Sequence, residues 1–128
     1  MELHELPYAK IVILQENIAE VIIDDEVVMD VPMVEHYHDF LLSHLSPPFY
    51  LLINKVNSYT YEFNAQLKLA TLVEINAMAV VAYNRATEIA TESLASYPRS
   101  EKWNLEIFSN RNDAMAWLLL EQKKILNK

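Results

Sequence analysis

Apolar runs separated by short polar stretches dominate the first part of the chain and predict extended strands. The runs AKIVIL (residues 9–14) and AEVIID (residues 19–24) are rich in β-branched side chains and stand on either side of Gln15, Glu16 and Asn17. Runs of this kind favour strands, and a short polar link between two of them is typical of a hairpin. A short extended segment at 26–29 is expected to continue or pair with that hairpin.

After the hairpin, apolar residues recur alternately at helical spacing and in continuous extended runs. The predicted helices cover residues 31–45, 60–72 and 85–97, followed by a last helix capped by Ser109. The predicted strands between them cover residues 49–53, 75–83 and 103–108. Asp30 is expected to cap the first helix, which has Pro32 in its first turn, and Pro98 is expected to end the third.

This order, ββαβαβαβα, predicts an α/β fold in one domain over residues 1–128. Strands that alternate with helices favour a mixed, mostly parallel sheet, with the N-terminal hairpin as an antiparallel edge and about four helices around it. In the predicted helix 85–97, Ala86, Ala90, Leu94 and Tyr97 share one face, which is expected to point inward.

The chain contains no glycine and no cysteine. The missing cysteine excludes disulfides, thiolate nucleophiles and cysteine-bound metals, and the missing glycine excludes the standard phosphate-binding loops and the nucleophile elbow. Backbone positions with positive φ are expected at the next most tolerant residue types. The candidates are Asn17, Asp24, Asp25, Asn57 and Asn110.

The charge is uneven along the chain. Residues 1–46 carry ten acidic side chains and one lysine, while the whole chain has a net charge of −8. Because nucleic acids bind clustered lysine and arginine, we expect no nucleic-acid partner. The small basic cluster Lys123, Lys124 and Lys128 suits the C-terminus of a helix. No apolar run is long enough to span a membrane and no secretory signal is evident, so we expect no stable membrane insertion and a cytoplasmic location.

Two polar segments contain residue types that bind metal ions. The segment Glu35–Asp39 contains two histidines, but His36 and His38 lie roughly 200° apart on a helix, which does not suit a shared ion. The acidic run 24–26, taken together with Asp30, lacks the ligand spacing and the glycine of a calcium loop, so a solvated turn is the preferred interpretation. We therefore predict no metal, no cofactor and no catalytic residue, and no enzymatic activity.

The predicted layout and the segment LEIFSNRNDAMAWL (105–118) resemble the STAS fold of bacterial anti-sigma-factor antagonists and of small STAS-like proteins of unknown function. In that family a phosphorylatable serine stands at the start of the helix that follows the central strand. The corresponding segment here is 62–65, where Phe63 and Asn64 offer no hydroxyl. The resemblance therefore implies a regulatory interaction domain that lacks the serine switch.

The resemblance also indicates where a partner binds. STAS-like domains expose a partner-facing helix in this region, and it coincides with the densest aromatic stretch of the chain. The candidate partner-binding residues are Ser58, Tyr59, Thr60, Tyr61 and Asn64. Ser58 and Thr60 are alternative phosphate acceptors or ordinary caps, and Tyr59 is weighed both as a core residue and as a contact residue.

A non-catalytic protein-interaction module, acting as a homodimer, is the leading hypothesis. The alternative is a carrier of a small apolar ligand, such as an acyl chain or a lipid, because a STAS-like sheet also resembles the lipid-binding Sec14-type fold. The residues alone identify neither the partner nor the oligomeric state.

Overall fold

A mixed six-stranded sheet lies at the centre of the computed structural model, which describes residues 1–97 and 102–126. The strands of this sheet, in spatial order, are β1 (Glu2–Leu6), β2 (Ala9–Gln15), β3 (Ile18–Ile23), β5 (Phe49–Lys55), β7 (Ile75–Ala82) and β8 (Leu105–Phe108). The first three strands are antiparallel, and β3, β5, β7 and β8 run parallel to one another. The predicted α/β class, the N-terminal hairpin and the mostly parallel sheet are confirmed.

Four helices pack on the two faces of this sheet. They are α1 (Val31–His44), α2 (Phe63–Lys68), α3 (Arg85–Ala95) and α4 (Arg111–Leu126). Successive strand residues point to opposite faces, so Leu51 packs with α1 and α2 in one apolar cluster, while Leu52 packs with α4 in another. One face therefore carries the first three helices, and the other is covered by α4.

Two extended segments differ from the sequence prediction. Strand β1 was not predicted, because only Leu3 and Leu6 of its five residues are apolar, and it pairs along β2 at the edge of the sheet. The segment at 26–29 does not join the hairpin. It contains β4 (Val28–Met29), which pairs in parallel with β6 (Thr60–Tyr61) to form a separate two-stranded sheet.

The helix boundaries were predicted unevenly. Helix α1 begins as expected, because the Asp30 side chain accepts a hydrogen bond of 2.9 Å from the Met33 amide. Helix α2 is shorter than predicted, since Thr60 and Tyr61 belong to β6. Helix α4 is capped by Asn110 rather than Ser109, because the Asn110 side chain accepts from the Asp113 amide at 2.9 Å.

The inward face of α3 was predicted only in part: Leu94 packs against the apolar core as expected. Ala86 and Ala90 are exposed, whereas Thr91 is the one residue of this helix that is fully buried. The buried face of the helix is therefore rotated by one residue from the predicted one. Thr91 can be buried because its hydroxyl accepts a hydrogen bond from Lys55 and donates one to the Thr87 carbonyl.

None of the helices in residues 1–97 and 102–126 combines the length and apolar character needed to cross a membrane. Helix α4 has 16 residues and carries Lys123 and Lys124 in its last turn, where cations suit the helix dipole. Lys128, the third member of the predicted basic cluster, and Pro98, the predicted end of α3, lie outside the described residues.

Positive φ angles occur at residues that the sequence did not indicate. Within the described residues they are found at Glu26, with φ of 63°, and at Ala70, with φ of 53°, and at none of the predicted Asn and Asp positions. Ala70 holds this conformation because its backbone is bonded on both sides. Its amide donates to Nε2 of buried His38 at 3.1 Å, and its carbonyl accepts from the Trp103 indole at 3.1 Å.

Replacing Ala70 by glycine is expected to stabilise the protein by roughly 0.5–1 kcal/mol, because glycine has no Cβ to oppose positive φ. The matched control is Ala90→Gly in regular helix α3, where the same change is expected to cost roughly 0.5–1 kcal/mol. Urea unfolding followed by circular dichroism measures both. An equal loss in both variants would show that the left-handed conformation of Ala70 carries no strain.

Candidate functional site

A narrow, apolar cavity lies between the central sheet and the elements that cover its α1–α3 face. We call it the inner cavity. Its sheet wall consists of Val21, Ile23, Ile53, Met78, Val80 and Leu105. Its opposite wall consists of Met29, Tyr37, Tyr59, Tyr61, Leu69, Ala70, Thr91, Leu94 and Trp103. The free space between these side chains is about 40 Å³, so their packing fills most of the cavity in the unliganded protein.

Lys55 is the one charged side chain among the described residues that line the inner cavity. It reaches the cavity because Leu51, Ile53 and Lys55 occupy alternate positions of β5 and therefore share the α1–α3 face of the sheet. Its Nζ donates a hydrogen bond of 2.9 Å to the Thr91 hydroxyl and lies 5.7 Å from the centre of the Tyr59 ring. Burial lowers the pKa of Lys55 to about 8.

Three tyrosines stand in the wall opposite the sheet. Burial raises the pKa of Tyr61 to about 12, and burial likewise raises the pKa values of Tyr37 and Tyr59 well above their usual range. The rings of Tyr59 and Tyr61 meet edge to face, with centres 5.6 Å apart. The hydroxyl of Tyr59 is buried and forms no hydrogen bond of normal geometry with a described residue. The neighbouring Tyr61 phenol contributes to the raised pKa of Tyr59.

An open groove on the surface leads to the same residues from outside. This outer groove runs between α3 and the segment that joins β5 to α2, and it shares Lys55, Tyr59, Tyr61 and Leu94 with the inner cavity. Its other lining residues are mostly small or polar: Asn57, Ser58, Thr60, Gln66, Ala86, Thr87, Ala90, Ser93 and Tyr97. The shared residues form a neck between a polar mouth and an apolar interior.

Four of the five predicted partner-binding residues line the outer groove. They are Ser58, Tyr59, Thr60 and Tyr61, and two of these, Tyr59 and Tyr61, also reach the inner cavity. The fifth, Asn64, is exposed on α2 and lines neither space. The Ser58 amide donates to the Asp25 carboxylate at 2.9 Å, so the acidic run at 24–26 and this segment hold each other in a turn.

The far wall of the inner cavity is held by a buried histidine. His38 on α1 accepts the Ala70 amide, and Ala70 in turn holds the Trp103 indole through its carbonyl. Burial, reinforced by the charge of Lys68, lowers the pKa of His38 to about 4, against the opposing influence of Asp39 and Glu35. The imidazole is therefore neutral at pH 7, as an acceptor of an amide hydrogen bond requires.

The histidines of α1 are engaged separately. Nδ1 of His36 lies 2.8 Å from the Tyr8 hydroxyl, on the side of the helix away from His38. Across residues 1–97 and 102–126, no three histidine or acidic side chains are placed to hold a metal ion.

A second polar cluster lies on the α4 face of the sheet. Buried Glu20 accepts three hydrogen bonds from Arg111 at the start of α4, of 2.9, 3.1 and 3.2 Å, and a fourth of 2.9 Å from the Asn54 amide. The Tyr83 hydroxyl completes the cluster by donating to Asn54 at 2.9 Å. Burial favours the protonated acid, but these hydrogen bonds and the Arg111 charge outweigh it and hold the pKa of Glu20 below its usual value. Each carboxylate oxygen is satisfied, so this cluster ties α4 to the sheet.

Sequence reasoning missed Lys55, the most distinctive residue of the site. The signal was present, because strand alternation in FYLLINK places Lys55 on the same face as the buried Leu51. A lysine on the covered face of a central strand is unusual, since lysine is almost never buried unless it is paired.

The chain shows no significant match to any protein-family model, curated protein or solved structure. The resemblance to STAS-like proteins therefore stays a prediction, and the geometry of the neck carries the functional argument.

Proposed function

We propose that the protein binds a small apolar molecule in the inner cavity and carries it without chemical change. The observation that carries this proposal is the placement of Lys55, a lone amine at the neck of an apolar space. Burying an amine that has no acidic partner costs stability, and such costs are typically tolerated at binding sites rather than in structural cores.

The covering elements are suited to admit a ligand. Helix α1 buries four residues, whereas α3 fully buries only Thr91. Regions with few buried contacts open at lower free energy than the rest of a fold. The inner cavity is narrow, so an acyl-sized molecule has to displace side chains. We expect α3 to move, because its displacement costs less free energy than displacement of α1.

The polarity of the two spaces also fits a carrier. Ligand pockets are mostly apolar, with a few polar groups that orient the ligand. The inner cavity has this character, and the polar outer groove gives a path from water to the neck.

A protein-interaction module, the leading expectation from the sequence, is retained as a second candidate. It is favoured by one observation: Phe63 and Leu67 lie one turn apart on α2 and are 66% and 45% exposed. Paired apolar side chains on an exposed helix face are typical of contact surfaces. This surface lies outside the inner cavity, so the two candidate functions use different residues.

Titration with the neutral fluorescent dye N-phenylnaphthylamine tests the carrier function. We expect saturable binding of one dye molecule per chain and strong weakening of that binding in Val80→Phe, which fills the inner cavity. The matched control is Val73→Phe, because Val73 is 85% exposed and lines neither wall of the cavity. Native mass spectrometry of the purified protein adds a second measurement, since a carrier retains small-molecule mass whereas an interaction module shows a dimer or a protein partner.

Absence of saturable binding, or equal binding by both valine variants, would contradict the carrier function. If Val80→Phe does not fold, Leu94→Trp tests the same point, because Leu94 belongs to the thinly packed helix α3 and is only partly buried.

A further inference from the structure

Two groups at the neck have hydrogen-bonding capacity that the protein leaves unused. The Lys55 ammonium has three donor hydrogens, and the Thr91 hydroxyl accepts one of them at 2.9 Å. The Tyr59 hydroxyl is buried without a normally formed hydrogen bond to any described residue. Buried donors without acceptors are costly, so both groups gain from a ligand that brings acceptor oxygens.

The charge around the neck is opposite to that of the whole protein. The chain has 18 acidic residues and a net charge of −8, yet the described residues that line the inner cavity and the outer groove include no aspartate or glutamate. Lys55 is the one charged side chain among them, and no described acidic residue forms an ion pair with it. The amine is therefore an uncompensated positive charge in a site from which negative charge is excluded.

From these observations we infer that the ligand is an apolar acid, whose carboxylate pairs with Lys55 at the neck and whose hydrocarbon part fills the inner cavity. A carboxylate has two oxygens, which match the ammonium of Lys55 and the hydroxyl of Tyr59. One positive charge balances one carboxylate. The inference rests on the proposed function, because it names the chemical class of the molecule that the cavity carries.

The arrangement sets a direction for the bound molecule. Lys55 and Tyr59 line both spaces, whereas Val21, Met78 and Leu105 line the inner cavity and not the outer groove. The acidic group is therefore held at the boundary, and the apolar part points toward the sheet and Trp103. A neutral alcohol of the same shape gains the apolar contacts, but its hydroxyl forms weaker hydrogen bonds than a carboxylate and leaves the charge of Lys55 unbalanced.

Calorimetric titration of the full chain at pH 7 with decanoate, decanol and decyltrimethylammonium tests the inference, because the three probes share one hydrocarbon chain. We expect decanoate to bind at least about tenfold more tightly than decanol, which corresponds to about 1.4 kcal/mol, and the cation to bind more weakly than either. In Lys55→Met the preference for decanoate is expected to vanish while decanol binding is retained. Tyr59→Phe is expected to weaken decanoate roughly threefold, as loss of one hydrogen bond predicts.

Lys10→Met is the matched control, because it removes the same charge from an exposed position on β2 and should leave the preference unchanged. Lys55→Gln repeats the test with a side chain of polar character. Equal binding of decanol and decanoate, or a preference that survives in both Lys55 variants, would overturn the inference while leaving the carrier function in place. Failure of all three probes to bind would overturn both.

Discussion

Lys55→Met is expected to stabilise the unliganded protein by about 2 kcal/mol at pH 7, the opposite of the usual effect of substituting a covered residue. Lowering the pKa of the amine from 10.5 to about 8 corresponds to a cost of roughly 3 kcal/mol for burying its charge. Methionine has a similar length and no charge, so that cost disappears, and the lost hydrogen bond to Thr91 offsets about 1 kcal/mol of the gain.

The pH dependence identifies the cause of this gain. Between pH 8 and 10.5 the unfolded lysine holds a proton that the folded one has lost, so the wild type becomes more stable relative to Lys55→Met as the pH rises through this range. The tyrosines that face Lys55, namely Tyr37, Tyr59 and Tyr61, are present in both proteins, so their ionisation cancels in the comparison.

Urea unfolding of both proteins from pH 7 to pH 10.5 measures the difference, with Lys10→Met as the exposed control that should stay within about 0.5 kcal/mol of the wild type. If Lys55→Met unfolds more easily than the wild type at pH 7, the amine is a structural element, and the case for a binding role at the neck is lost.

A stabilising substitution at a cavity residue is informative about function. Natural proteins keep costly groups where activity needs them, and removal of such groups commonly raises stability at the expense of function. Lys55 and Glu20 illustrate the contrast within this fold. Glu20 is buried with four hydrogen bonds, three of them from its arginine partner, while Lys55 has one neutral hydrogen-bond partner. Only the second residue leaves room for a ligand to complete its interactions.

Most of the central sheet was predictable because its strands are local, strongly apolar segments. The runs around Ile11, Val21 and Leu51 have no other plausible structure, and the helical segments between the later strands favour parallel pairing. The start of α1 was predictable for the same reason, since the interaction between Asp30 and the Met33 amide is contained within four residues.

The errors occur where distant contacts determine the structure. Thr60 and Tyr61 have a helical pattern in sequence, but they pair with Val28 and Met29 more than thirty residues earlier, and the helix is shortened accordingly. Ala70 adopts positive φ because His38 and Trp103 bond its backbone, which no local pattern reveals. These are cases in which tertiary contacts override local preference.

Only part of the candidate site was predictable from the sequence. The aromatic segment from Ser58 to Tyr61 was identified, because dense tyrosines next to a predicted helix suggested a contact surface. The sequence did not indicate that the inner side of this segment lines a cavity, because the depth of the cavity depends on the distance between α3 and the sheet. Thr91, which holds Lys55, was not among the residues of α3 predicted to point inward, so the pair at the neck could not be anticipated.

Mild acid is expected to destabilise the protein through His38, by on the order of 3 kcal/mol between pH 6.5 and pH 4. The folded pKa is about 4, against an ordinary value of 6.5, so within this window the unfolded chain binds a proton that the folded protein excludes. The contribution is therefore complete above pH 6.5 and is lost as the pH falls toward 4. The charged neighbours Lys68, Asp39 and Glu35 determine the exact position of the window.

His38→Gln is expected to remove most of this acid sensitivity, because the glutamine carbonyl can accept the Ala70 amide without binding a proton. Thermal unfolding at a series of pH values measures the slope for the wild type and the variant. His44→Gln, at an exposed position on the same helix, should keep the wild-type slope. If His38→Gln remains as acid-sensitive as the wild type, the proton responsible for the acid sensitivity binds to another group. The wild-type His38 imidazole has to stay neutral to accept the Ala70 amide, and Ala70 in turn holds the Trp103 indole in the wall of the inner cavity.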